Sequence, residues 1–297
     1  MKNTTLPVAL IQERAIIDQG SGDADANLAV IEQRVGEAAK QGAKLVLLQE
    51  LHNGAYFCQH ESVSEFDLAE TIPGPSSERL AKLARQHGVV LVSSLFEKRA
   101  TGLYHNTAVV FDSDGSTAGK YRKMHIPDDP GFYEKFYFTP GDLGFEPIDT
   151  SVGRLGLMVC WDQWYPEGAR LMALAGAELL LYPTAIGSEP DHPDFDTQPL
   201  WQHTIVGHAI ANGLFVVVPN RYGTEGLITF CGSSFIAGRH PCLIIGTRIS
   251  RSPATRAIRQ SRRSTTSTTT AVPPPVRPWI SRASSTSTAV RSTSRRT

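Results

Sequence analysis

The sequence predicts an α/β or α+β fold in which helices pack against a mixed β-sheet. Short apolar runs of strand length alternate with segments whose apolar residues recur at helical spacing. Two of the runs, 103–111 and 117–121, are separated only by a short turn with the sequence DSDG, which predicts a hairpin. Because helical segments connect most of the other runs, parallel and antiparallel neighbours are expected in the sheet.

Four segments have the periodicity and the end signals of helices. In the first, apolar residues recur at helical spacing between Leu28 and Ala38, and Gly42 follows the last turn. Gly88 stands just past the end of the second predicted helix. Pro166, which suits a first helical turn, begins the third predicted helix. The second, third and fourth helices are predicted at 76–87, 166–175 and 201–211.

The predicted strands are short runs rich in Val, Ile and Leu, a composition typical of buried strands. Besides the hairpin, they are predicted at 7–11, 44–48, 89–93, 154–160, 178–182, 214–219 and 227–236. An apolar patch at 243–245 has the composition of one more strand. The sequence has no internal repeat of fixed period.

Charge is divided unevenly between two parts of the chain. Of the 29 Lys and Arg residues, 12 lie in 239–297, which contains no acidic residue, so 1–238 hold 17 basic and all 29 acidic residues. A net charge of −12 on 1–238 argues against a nucleic-acid partner. Residues 239–297 are rich in Arg, Ser, Thr and Pro without apolar periodicity, which predicts a disordered tail after one folded domain at 1–238.

Cysteine spacing and hydropathy indicate a cytoplasmic protein. The four cysteines (Cys58, Cys160, Cys231 and Cys242) form neither a CxxC pair nor a Cys/His cluster, so free thiols and no metal site are expected. No apolar run reaches the length of a membrane span, and the apolar stretch at the N-terminus is too short for a secretion signal. No membrane partner is therefore expected.

Three chemically reactive residues stand at comparable places. Glu50 lies just past the predicted strand 44–48, Lys123 follows the second strand of the hairpin, and Cys160 ends the strand 154–160. Ligands commonly sit at the carboxyl ends of strands, so these side chains could converge. Taken singly, each residue has a more common structural explanation: a core cysteine, a capping glutamate and a solvated lysine.

Together the three residues suit attack on a carbonyl carbon. A thiol must lose its proton before it attacks, and a nearby carboxylate can accept that proton and later pass it to a leaving amine. A lysine can stabilise the oxyanion that forms, together with a backbone N–H such as that of Trp161. A turn from strand to helix at Cys160 would expose the sulfur at the end of the sheet.

Four segments carry a resemblance to a known family. They are LLQELHNGAYFCQ at 47–59, KYRKMHIPDDPGFYEKFYFTPGD at 120–142, GRLGLMVCWDQWYPEGARLMALAGAELLLYPTAIG at 153–187 and FCGSSFIAG at 230–238. These segments resemble the nitrilase superfamily of carbon–nitrogen hydrolases, and within it the N-carbamoylputrescine amidase branch most of all. The resemblance covers nearly all of 6–238.

The resemblance implies a four-layer αββα sandwich, no cofactor and a homo-oligomer. It makes Glu50 the general base, Lys123 the oxyanion-stabilising residue and Cys160 the nucleophile. Glu134, in GFYEKFYF, matches a second glutamate that lines the site, and Trp161 is expected to wall the pocket with it. The implied substrate is a small cationic carbamoyl amine, N-carbamoylputrescine, which gives putrescine, ammonia and carbon dioxide. Candidate partners for its cationic end are Glu189, Asp191 and Asp194.

The family pattern ends near Gly238, where members of the family continue with further strands. The Arg-rich sequence after it is typical of a GC-rich reading frame shifted by one base, so a frameshift that leaves the hydrolase domain incomplete at its C-terminus is one hypothesis. A genuine Arg-rich interaction tail is the other. The loss of the family's terminal region would weaken the expected homo-oligomer, because that region helps to join subunits.

Other functions remain open at this point. Within the same fold, a β-ureidopropionase, an ω-amidase or a true nitrilase would use the same three residues. From another class, an inactive interaction protein would draw support from the basic tail alone.

Overall fold

Five strands form the first sheet, in the order in which they occur along the chain. They are β1 (Val8–Leu10), β2 (Leu45–Leu47), β3 (Val90–Ala100), β4 (Leu103–Phe111) and β5 (Thr117–Arg122). β1, β2 and β3 run parallel, whereas β3 with β4 and β4 with β5 are antiparallel. The predicted hairpin and the predicted mixed sheet are therefore confirmed. The structure is a computed structural model and describes residues 5–17, 24–238 and 244–246.

Six further strands form a second mixed sheet, and two more pair as a separate hairpin. They are β6 (Ile148–Thr150), β7 (Gly153–Leu157), β8 (Leu179–Leu181), β9 (Phe215–Val218), β10 (Tyr222–Glu225), β11 (Ile228–Cys231), β12 (Phe235–Ala237) and β13 (Ile244–Gly246). The second sheet has the order β13-β12-β9-β8-β7-β6, with β7, β8 and β9 parallel, and β10 pairs with β11. β13 lies where the apolar patch predicted one more strand.

Helices cover the outer face of each sheet. The helices are α1 (Ala24–Lys40), α2 (Pro75–His87), the single turn α3 (Glu134–Tyr137), α4 (Pro166–Leu174) and α5 (Gln198–Asn212). Val46 and Leu48 pack with α1 and α2, whereas Leu45 and Leu47 face the core shared with the second sheet. This alternation follows from the two-residue period of a strand, and it buries both faces. The order helix, sheet, sheet, helix confirms the four-layer αββα sandwich.

One predicted strand, 227–236, is wrong as a single element. β11 ends at Cys231 and β12 begins at Phe235, and the two belong to different sheets. Between them Gly232 and Ser233 have φ angles of 61° and 56°. The chain cannot stay extended through residues in this left-handed region, so the run breaks there. β6 and β10 were not predicted, since neither has a distinct apolar pattern.

Two further expectations concern membrane-spanning helices and the C-terminal tail. Within the described residues, no helix combines the length and the apolar composition that crossing a membrane requires. The predicted disorder of the tail after residue 238 concerns residues that lie outside the described ones, apart from β13.

Candidate active site

Three of the predicted site residues meet in one buried ion-pair cluster. The Nζ atom of Lys123 lies 2.8 Å from Oε1 of Glu50 and 2.7 Å from Oε2 of Glu134. The exposed fraction of these side chains is 0–1%. The charges of all three shift the pKa of the Cys160 thiol, so the sulfur lies within electrostatic range of the cluster. The structure thus brings together four side chains that are far apart in the sequence.

Glu50 lies just past β2, in a turn that the second half of the chain holds. Arg221, itself fully buried, donates hydrogen bonds to the carbonyl oxygens of Glu50 and Leu51, at 2.9 and 2.8 Å. Arg221 is neutralised by Glu225, with an N···O distance of 2.8 Å. Leu51 has a φ of 48°, a conformation that a leucine keeps only where its surroundings impose it. Arg221 therefore fixes the turn that aims Glu50.

Lys123 directly follows β5, and its backbone continues the ladder with β4. Its N–H donates to the carbonyl oxygen of Asn106 at 2.9 Å. The side chain of the same asparagine donates from Nδ2 to Oε1 of Glu50 at 2.7 Å. One residue inside β4 thus holds both the lysine backbone and the glutamate carboxylate. Asn106 was not predicted, although it stands in a run of three polar residues, from His105 to Thr107, within β4, and polar residues inside a strand of a buried sheet need partners.

Glu134 begins the short helix α3, and each of its oxygens has a donor. Oε2 accepts from Lys123, and Oε1 accepts from the hydroxyl of Tyr56 at 2.7 Å. Burial, opposed by the Lys123 ammonium and reinforced by the charge of Glu50, raises the pKa of Glu134 to about 7. Tyr56 was also missed by the sequence prediction, because nothing in its neighbourhood distinguishes it from a packing aromatic.

Cys160 lies in a sharp turn, and here the predicted strand needs correction. β7 ends at Leu157, and Cys160 opens a 3₁₀ helix that continues to Trp164. Its φ of 40° is left-handed, so the chain turns out of the sheet at this residue. The N–H of Cys160 donates to the carbonyl oxygen of Pro183 at 2.9 Å, and Sγ lies 3.9 Å from the carbonyl oxygen of Ala185. This geometry matches the expected turn from strand to helix.

Asp162 joins the cysteine turn to the segment that carries the lysine. Its Oδ2 accepts from the N–H of Val159 at 3.0 Å and from the hydroxyl of Tyr121 at 2.9 Å. Its Oδ1 accepts from the N–H and from Nδ1 of His125, at 3.0 and 2.7 Å. Val159 precedes Cys160 and His125 follows Lys123 by two residues, so a single buried carboxylate sets the distance between the two segments.

The thiol of Cys160 is neutral in this resting arrangement. Burial raises its pKa well above the ordinary value, and the charge of Glu50 raises it further, whereas the Lys123 ammonium lowers it. The sulfur therefore becomes a thiolate only when a base takes its proton. Glu50 is the carboxylate whose charge acts on the thiol most strongly.

A model of the carbon–nitrogen hydrolase family matches residues 7–246. The chain belongs to this family. Its relatives include a protein named citrullinase from Francisella tularensis, 48% identical over 228 residues that make up 75% of this chain and 79% of the relative. An N-carbamoylputrescine amidase from Solanum lycopersicum is 44% identical over 246 residues, 80% of each chain.

A solved structure supports the same assignment. The carbon–nitrogen hydrolase from Helicobacter pylori G27 superposes with a TM-score of 0.75 at 52% identity, over 80% of this chain and 83% of that one. The resemblance inferred from the motifs is thereby confirmed, and the protein is an enzyme that hydrolyses carbon–nitrogen bonds. The family match includes β13 and so runs past residue 238, where the motifs seemed to end.

The other predicted residues of the hydrolase differ in how deeply they are buried. Trp161 follows Cys160 and is half-buried, with its ring edge-on to Trp164 at a centroid distance of 6.3 Å. Glu189 is half-buried and accepts a hydrogen bond from Thr197 at 2.7 Å. Asp191 and Asp194 are exposed. Among the described residues, no group of three or more His, Cys, Asp or Glu side chains is arranged to hold a metal ion.

Asp162→Asn tests whether the bridging carboxylate matters for activity. Four N–H and O–H donors point at this side chain, so an amide NH₂ must face at least one of them. We expect kcat/KM to fall about 10–100-fold, because the segments that carry Cys160 and Lys123 lose their common anchor. Kinetics of the variant beside the exposed Asp149→Asn control check this; unchanged kinetics in Asp162→Asn would refute the anchoring role.

Proposed function

We propose that this hydrolase converts N-carbamoylputrescine to putrescine, ammonia and carbon dioxide through a covalent intermediate on Cys160. The observation that carries the proposal is the buried Lys123 ammonium, bonded to two carboxylates beside a cysteine in a left-handed turn. This arrangement supplies a nucleophile, a base and a fixed positive charge within one buried site.

In the first half of the reaction, Glu50 takes the thiol proton as Sγ attacks the ureido carbonyl carbon. A carbon–sulfur bond forms and the carbonyl oxygen becomes an oxyanion, which the Lys123 ammonium and the backbone N–H of Trp161 stabilise. The intermediate collapses, the carbon–nitrogen bond breaks, and the protonated Glu50 returns its proton to the leaving nitrogen. Glu134 keeps the lysine in place through its 2.7 Å contact.

In the second half, Glu50 takes a proton from water, and the resulting hydroxide attacks the same carbon. The carbon–sulfur bond breaks, and the thiol recovers its proton from Glu50. If ammonia leaves first, the product released is a carbamate, which loses carbon dioxide to give putrescine. The cycle ends with the site in its starting charge state.

Two similar relatives point to ureido substrates that differ in one group. N-carbamoylputrescine carries an ammonium at the far end of its chain, and citrulline carries a carboxylate beside that ammonium. The segment 188–197 contains four acidic residues and neither Lys nor Arg. The segment begins shortly after Ala185, whose carbonyl oxygen lies 3.9 Å from the Cys160 sulfur. It also packs closely against Gly131, which shortly precedes Glu134: a Cβ atom added to this glycine would lie 2.9 Å from Cγ of Pro190. An acidic segment attached to the site at these two points favours the substrate without a carboxylate.

The direct test compares ammonia release from N-carbamoylputrescine, citrulline and N-carbamoyl-β-alanine. We expect kcat/KM for the first to exceed the others at least about tenfold, which corresponds to about 1.4 kcal/mol of discrimination. Citrulline is the second candidate, because the relative named citrullinase is 48% identical. Equal or faster turnover of citrulline or of N-carbamoyl-β-alanine would refute the proposed substrate.

Removing charge from the acidic loop tests how the cationic end is recognised. We expect Asp191→Asn/Asp194→Asn to raise KM for N-carbamoylputrescine about two- to fivefold at low salt, with little change in kcat. The matched control is Glu78→Gln/Glu167→Gln, which removes two exposed acids from α2 and α4. An equal rise in KM in both variants would show that net charge, and not the loop, is responsible.

A further inference from the structure

The two carboxylate oxygens of Glu50 have different surroundings. Oε1 accepts two hydrogen bonds, from Asn106 Nδ2 at 2.7 Å and from Lys123 Nζ at 2.8 Å. Oε2 is equally buried, but within the described part of the chain it has no hydrogen-bond partner. A buried carboxylate oxygen without a donor is costly, because it has lost its hydration without replacement. Such an atom is expected where function requires a free acceptor.

We propose that Asn106 is a positioning residue that fixes the Glu50 carboxylate so that Oε2 is the atom that takes the thiol proton. The inference rests on the proposed function, in which Glu50 is the base. Asn106 and Lys123 together occupy Oε1, which leaves one oxygen free to accept and return the proton. The lysine alone cannot do this reliably, since one donor lets the carboxyl group rotate about its terminal torsion.

The asparagine is itself held rigidly. It lies within β4 with an exposed fraction of 1%. Its Oδ1 accepts from the hydroxyl of Ser94 on β3 at 3.1 Å, which directs its NH₂ group toward Glu50. The hydroxyl oxygen of Ser94 also accepts from the N–H of Leu51 at 3.3 Å, so the residue after Glu50 is tied to the same point. The strand pair β3–β4 thus presents a preorganised donor to the base.

Several charged or titratable groups surround Glu50, so the pH profile of the activity reports on all of them together. They are Lys123, Glu134, Cys160, Cys58, Tyr56 and Arg221. Asn106→Asp would place another carboxyl against Glu50 and favour binding of a proton by the pair. We therefore expect the acid limb of the kcat/KM profile to move to higher pH in this variant. Thr107→Val, on the same strand but bonded to Glu97, should leave that limb where it is.

The experiment compares Asn106→Leu, Asn106→Asp and Ser94→Ala with the wild type on the best of the ureido substrates. The matched control is Thr107→Val, which removes a buried hydroxyl from the next residue of β4 and breaks its 2.6 Å hydrogen bond to Glu97. We expect Asn106→Leu to lose about 10–100-fold in kcat with KM within about threefold. Ser94→Ala should lose severalfold, and Thr107→Val should keep wild-type kinetics.

Wild-type kcat and an unmoved acid limb in the Asn106 variants would overturn the inference, as would an equal loss of kcat in Thr107→Val. If Asn106→Leu does not fold, the isosteric Asn106→Asp and the milder Ser94→Ala decide by the same criteria. If the wild type is active and the Asn106 variants keep its kcat and its acid limb, only this inference is overturned. A wild type inactive on all three ureido substrates overturns the proposed function, and this inference with it.

Discussion

Replacing Cys160 with alanine is expected to abolish turnover while leaving the protein folded. Without the sulfur no covalent intermediate can form, and the loss should reach at least about 10⁴-fold in kcat, as for other enzymes that lose their nucleophile. The change removes a single heavy atom from a turn held by Asp162, so stability should change by no more than about 1 kcal/mol. Ammonia release and thermal unfolding measure the two effects.

Cys231→Ala is the matched control for the nucleophile assignment. Cys231 is a free thiol that is partly exposed, and its sulfur lies 3.3 Å from Nδ2 of Asn220. Burial, reinforced by the charge of Asp196, raises its pKa to about 12. We expect this variant to keep activity and to form the same substrate adduct by mass as the wild type. Activity that survives in Cys160→Ala but not in Cys231→Ala would reverse the assignment.

The layers of the fold could be predicted because their residues follow simple periodicities. The run 44–48 is apolar on both faces, since Val46 packs under the helices and Leu47 faces the second sheet. The run 227–236 looked equally continuous, and only the left-handed φ angles of Gly232 and Ser233 divide it. Composition does not reveal such a break, because Gly-Ser also occurs within extended strands.

The site was predicted less completely than the fold. Glu50, Lys123 and Cys160 could be proposed because each follows a predicted strand and suits one reaction. Asn106 and Asp162 could not, because their partners lie far away in the sequence: Asn106 is 56 residues from Glu50, and Asp162 is 37 from His125. A buried polar residue implies that a hydrogen-bond partner exists, but the sequence does not identify that partner.

Lys123→Met is expected to remove activity and to cause the largest loss of stability among these variants. Methionine has a similar length but no charge, so two buried carboxylates, Glu50 and Glu134, lose the cation between them. Removing one partner of a buried ion pair costs about 3–5 kcal/mol. Chemical denaturation at pH 8 measures this loss. The control Lys120→Met removes a cation that is 30% exposed from the buried Glu97. Because Glu97 keeps its ion pair with Arg122, this change should cost no more than about 1 kcal/mol.

The pH dependence of that loss distinguishes unpaired charge from lost packing. The folded-state pKa of Glu134 is about 7 against an ordinary 4.5, so between these values the native state binds more protons than the unfolded chain. The stability contributed by this group is therefore fully present below pH 4.5 and is lost as pH rises to about 7. Without Lys123, which lowers this pKa, the fall should extend to higher pH and be larger in total.

The difference in stability between wild type and Lys123→Met should accordingly be small at pH 5 and full at pH 8. Acid destabilisation from other carboxyl groups affects both proteins alike and cancels in the comparison. Adding Glu134→Gln to Lys123→Met removes one of the two carboxylates, so it should restore part of the stability at pH 8 but none of the activity. A difference in the free energy of unfolding that stays constant from pH 5 to pH 8 would mean that the lysine stabilises the fold through its packing alone. The Lys123 ammonium would then not balance the charges of Glu50 and Glu134, and the proposed chemistry depends on that balance.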